Sequence, residues 1–149
     1  MIDAILKTVE DKKISKIVVA SRSGKSAIRL AESVGKGVQV ISVSEFTYSD
    51  DVKKRMKKLK MVPVENADLV VQDFKDTRET LLTYGKDVKS ALEVALIANR
   101  SGLVEDDFLT VSGKETVLVV NSENIEEKLL SKPLGEVAAK QFVEASLIS

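Results

Sequence analysis

Ser21-Arg22-Ser23-Gly24-Lys25-Ser26 joins a β-branched run, Lys16–Ala20 (KIVVA), to a helically spaced apolar set, Ala27, Leu30, Ala31 and Val34. A strand, a short polar loop and a helix in that order suit a phosphate ester. The start of a helix supplies backbone N–H groups without intrahelical partners and a partial positive charge. Gly24 lets the backbone approach an anion closely. Ser21, Ser23 and Ser26 add hydroxyl donors, and Arg22 and Lys25 add charge. The loop is not a Walker A sequence, because the glycine that G-x-x-x-x-G-K-[ST] needs at position 19 is Val19. The same residues fit a plainer role equally well, with Ser23 capping the helix and Gly24 permitting a tight turn. A second loop, Ser112-Gly113-Lys114-Glu115, repeats the serine-glycine-lysine order between two further strands.

The remaining composition narrows the chemistry. The 149 residues contain neither His nor Cys. That excludes the serine-histidine and cysteine-histidine nucleophile systems, imidazole and thiolate metal sites, and disulfides. Catalysis would rest on carboxylates, lysines, hydroxyls, backbone amides or a bound cofactor, and no residue is assigned a catalytic role. No metal site is expected: the pairs Asp106-Asp107 and Glu126-Glu127 are adjacent in sequence, so their side chains diverge. Glu79 and Glu93 lie on helices without a catalytic pairing. Lys and Arg total 23 against 23 Asp and Glu, so neither nucleic acid nor a membrane surface is an expected partner. The basic run Lys53–Lys60 reads as the solvated face of an amphipathic helix. Apolar runs are far too short to span a membrane, and Ile2–Asp11 is too polar for a signal peptide, which makes the cytoplasm the expected location.

The elements that must position the loops follow from periodicity. Ile2, Ile5, Leu6 and Val9 mark an opening helix. Val38–Val43 is a second strand. Ser49 is placed to cap the next helix, with Asp50 and Asp51 in its first turn and lysines toward its end. Lys60–Val64 is a short third strand weakened by Pro63. Asp73–Tyr84 reads as a helix, and Val88, Ala91, Leu92, Ala95 and Leu96 mark a stronger one that Gly102 ends. Phe108–Val111 and Thr116–Val120 are strands joined too tightly to be anything but an antiparallel hairpin. Residues 1–149 therefore form one α/β domain with a mixed sheet; in the tail after Asn121, punctuated by Pro133 and Gly135, Glu136–Ile148 is helical or extended.

IVVASRSGKSAIRLAE followed by VQVISVS resembles the C-terminal domain of pyruvate kinase, where an SGRSA-type loop after the first strand holds a phosphate of an allosteric sugar bisphosphate. GKDVKSALEVALIANRSGLVEDDFLTVSGKETVLVV is similar to stand-alone archaeal proteins built on that domain. The likeness covers roughly residues 1–122. It implies a three-layer α/β/α sandwich with sheet order 3-2-1-4-5 and strand 5 antiparallel. It also implies no kinase activity for these residues, since that chemistry belongs to a separate barrel domain. Flavin mononucleotide or another phosphorylated compound is the ligand it suggests. The chain departs from the stand-alone group at Ser44-Glu45-Phe46-Thr47-Tyr48, where those proteins carry a histidine-bearing segment, and at the shortened loop Ser112-Gly113-Lys114.

In an open sheet of that order, ligands bind where the winding reverses, between strands 1 and 4. The two serine-glycine-lysine loops would converge there, flanked by Ser42 and Ser44. The expected function is capture of a phosphorylated small molecule or nucleotide. The alternatives are a flavin- or nucleotide-dependent enzyme and an oligomeric structural protein with a vestigial phosphate loop. A homo-oligomer is expected in any case, because the helix over Asp87–Ala98 has more apolar residues than one buried face requires.

Overall fold

The computed structural model describes residues 2–69, 79, 81–114, 116–123 and 125. In chain order these form α1 (Ile2–Lys12), β1 (Lys16–Ala20), α2 (Lys25–Val34), β2 (Gln39–Val43), α3 (Asp50–Lys58), β3 (Val62–Val64), α4 (Lys86–Arg100), β4 (Asp107–Ser112) and β5 (Thr116–Asn121). The sheet order is β3-β2-β1-β4-β5, parallel except for the antiparallel β4–β5 pair. This is the mixed five-stranded α/β architecture expected from the sequence.

β1 is apolar throughout because both its faces are covered. Ile17 and Val19 pack with Ile5 of α1, Ala27 and Leu30 of α2, and Met56 of α3. Val18, between them, packs on the opposite side with α4. β4 alternates in the same way, with Leu109 and Val111 toward α1–α3 and Phe108 toward α4. Three layers follow directly from that period of two.

Ser49 caps α3, its Oγ accepting from Val52 N at 3.3 Å, with Asp50 and Asp51 in the first turn. Two members of the basic run are ion-paired, Lys53 with Glu65 and Arg55 with Glu32, both at 3.2 Å, while Met56 turns into the core. Pro63 is tolerated because β3 is the edge strand beside β2.

The middle of α4 is buried on every side: all eight residues from Ala91 to Ala98 are buried, and all of them but Glu93 cluster with Leu81, Val104, Phe108, Leu118 and Ile125. The apolar excess that suggested an oligomer is thus covered within one chain. Glu79, Leu81 and Leu82 are helical, but most of the helix expected over Asp73–Tyr84 lies outside the described residues. So do Val70, Val71 and nearly all of the tail after Asn121. No helix among the described residues is long and apolar enough to cross a membrane.

Candidate functional site

The winding reverses between β1 and β4, and a crevice of about 360 Å³ opens there at the carboxyl ends of the strands. Ser21 and Arg22 reach it from the end of β1, Ser44 and Glu45 from the end of β2, and Ser112 and Gly113 from the end of β4. The amino end of α4 forms the remaining wall with Lys86, Asp87, Ser90 and Glu93. A larger depression, about 760 Å³, lies at the other end of the sheet against Lys16, Gln39, Gly35 and Leu59. The carboxyl ends of α2 and α3 face that depression, and their dipoles disfavour an anion there.

The first loop meets most of its own hydrogen-bonding needs. The Ser21 hydroxyl accepts from Gly24 N at 3.0 Å and from Ser26 Oγ at 2.9 Å. Ser23 Oγ accepts weakly from Lys25 N at 3.4 Å. Ser44 Oγ donates to Arg22 O at 3.1 Å and accepts from Phe46 N at 3.0 Å. Ser21, more than Ser23, therefore ties the loop together, while α2 starts at Gly24 without a side-chain cap.

Gly24, at φ +84°, faces α3 and not the crevice. A Cβ there would lie 2.5 Å from Met56 Cε and 2.8 Å from Val52 Cγ1. Its glycine is explained by that packing and by its left-handed backbone. Tyr48 completes the support, donating from its hydroxyl to Ser21 O at 3.0 Å. Ser42 Oγ lies 2.7 Å from the same hydroxyl, so with the phenol proton committed to Ser21, Ser42 is the donor of that pair. Burial pushes the Tyr48 phenol above its ordinary value, with the nearby Glu65 carboxylate adding to the rise and the Ser42 hydrogen bond opposing it. Ser42 thus belongs to the α2–α3 side of the sheet, whereas Ser44 opens onto the crevice.

The expected site residues therefore separate. The structure brings Ser21, Arg22, Ser44, Ser112 and Gly113 together on the crevice, and it leaves Ser23, Gly24, Lys25, Ser26, Ser42 and Lys114 out of its lining.

The α4 wall is what sequence reasoning missed. Lys86, Ser90 and Glu93 stand at i, i+4 and i+7, a polar stripe along one side of the helix, and that spacing was the available signal. Glu93 is 3% exposed and paired through Oε1 with Lys89 Nζ one turn earlier. Ser112 is 4% exposed, and neither its hydroxyl nor that of Ser90 has a hydrogen-bond partner among the described residues. Thr110, on the same strand two residues before Ser112, has a fully buried Oγ1 that is also unpartnered. The crevice is mixed in charge, with Arg22 and Lys86 against Glu45, Asp87 and Glu93. No group of three or more metal-ligating side chains is assembled among the described residues.

Fold and crevice together define an α/β domain with a polar cleft at its switch point. The chain matches no family model and no curated protein sequence.

Proposed function

We propose that this protein is a stand-alone domain of the pyruvate kinase C-terminal type that captures a phosphorylated small molecule in the crevice between β1 and β4. One observation carries the reading. Three strand ends and the amino end of α4 open onto one cleft at the reversal of winding, with Arg22 and Lys86 on its wall and two serine hydroxyls without partners among the described residues. Arg22 supplies the fork of donors that suits a phosphate, and Ser90 and Ser112 supply neutral hydrogen bonds. The resemblance over residues 1–122 supports the same class of ligand, a phosphorylated compound held without chemistry on the phosphate.

Calorimetry with inorganic phosphate, glucose 6-phosphate and flavin mononucleotide tests the reading. Arg22→Ala is expected to weaken phosphate-ester binding by about 1.5–3 kcal/mol, the range for hydrogen bonds to charged groups. Lys25→Ala, outside the crevice lining, should change it by less than about 0.5 kcal/mol, as for a remote exposed charge. The reverse order would move the site onto the α2 amino end. No heat with any of the three compounds would remove the reading.

A further inference from the structure

We infer that Asp87 makes the crevice selective for a ligand with a single anionic group, a phosphomonoester of a polyhydroxy compound, and turns away ligands carrying a second phosphate. The inference rests on the phosphorylated-ligand reading above. Asp87 stands in the first turn of α4, where unpaired amides and the helix dipole favour negative charge. It also packs against the β4–β5 turn: a Cβ on Gly113 would lie 2.4 Å from Asp87 Oδ2 and 2.7 Å from its carboxyl carbon. Both residues line the crevice. The place where the amino end of α4 meets the hairpin turn is therefore already filled by a carboxylate of the chain itself.

A phosphate entering at that place would meet like charge at close range in a partly desolvated cleft, where repulsion is strong. Deeper along α4, the buried Glu93 carboxylate has its charge matched by Lys89. Neutral hydroxyl groups complement Asp87, Glu93 and the hydroxyls of Ser90 and Ser112, which have no partner among the described residues, whereas a second anion does not. Of the two cations on the wall, Lys86 adjoins Asp87 in the first turn of α4, and Arg22, on the β1 side, is left to match the one phosphate.

Calorimetry at fixed ionic strength with glucose 6-phosphate and glucose 1,6-bisphosphate tests this on the wild-type chain and on Asp87→Asn. The substitution keeps the shape against Gly113 and removes the charge. Wild type should bind the monophosphate about tenfold or more tightly than the bisphosphate, and Asp87→Asn should shrink that ratio by about tenfold, the size of a modest charge repulsion. Equal or tighter bisphosphate binding by wild type would overturn the inference while leaving the phosphorylated-ligand reading intact, and this arm does not depend on the variant folding. An unchanged ratio in a folded Asp87→Asn, checked by circular dichroism, would overturn it as well. Binding of neither sugar phosphate nor inorganic phosphate to wild type would overturn both.

Discussion

The chain uses the tripeptide serine-glycine-lysine at two strand ends, with glycine left-handed in both, φ +84° at Gly24 and +64° at Gly113. What each glycine faces differs entirely. Gly24 is enclosed by the apolar side chains of α3, Met56 and Val52, and by the ring of Tyr48. Gly113 is enclosed by the carboxylate of Asp87. Around the first turn, Ser21, Ser26, Ser42, Ser44 and Tyr48 bond to one another and to the backbone. On the second side, Ser90 and Ser112 line the crevice without partners among the described residues. The first turn is built as a structural joint between β1, α2 and α3. The second, with the start of α4, is built as a polar surface. Local sequence likeness sets backbone conformation, and the neighbours decide what that conformation is for.

The largest expected effect is at the joint. Gly24→Ala adds backbone strain at positive φ to a close contact with Val52 and should lower stability by roughly 2–4 kcal/mol in urea unfolding. A loss below about 1 kcal/mol, less than the strain alone, would mean that the first turn is not held as tightly as its contacts imply.

Gly113→Ala should cost less, about 1–2 kcal/mol, because its neighbour is the free end of an acidic side chain that can rotate away. Combining it with Asp87→Ala should cost less than the sum of the single changes by about 0.5 kcal/mol or more, since the two residues share one contact. Strict additivity would separate the turn from the carboxylate.

The smallest effect is in pH dependence, and it belongs to the joint alone. Glu65 Oε1 accepts from Tyr48 N at 2.7 Å and pairs with Lys53. The backbone hydrogen bond from Tyr48, helped by Lys53, holds the Glu65 carboxyl below the usual carboxylate range. Its contribution is therefore present above the ordinary glutamate range and is lost as pH falls through the lowered folded value. The stability difference between wild type and Glu65→Gln should close over that acidic window and stay constant above it. A difference independent of pH would show that the hydrogen bond acts without the charge.

Sequence by itself determined the layers. The doubly apolar KIVVA and the helical spacing of Ala27, Leu30 and Val34 each require burial on particular sides, and a tight link after Ser112 forces an antiparallel partner. Sheet order and the position of the cleft follow once those elements are packed, which is why Ser21, Arg22, Ser44, Ser112 and Gly113 were legible as neighbours. Glu93 and Asp87 were not, because a carboxylate on a helix reads as solvated until its depth is known. Ser42 and Gly24 were placed on the wrong side for the same kind of reason: residues one apart at the end of a strand face opposite layers, and a glycine required by Val52 and Met56 is indistinguishable in sequence from one required by an anion. Only tertiary structure decides between them, because the atoms that make the choice come from α3 and α4, 28 and more residues away along the chain from Gly24 to Val52.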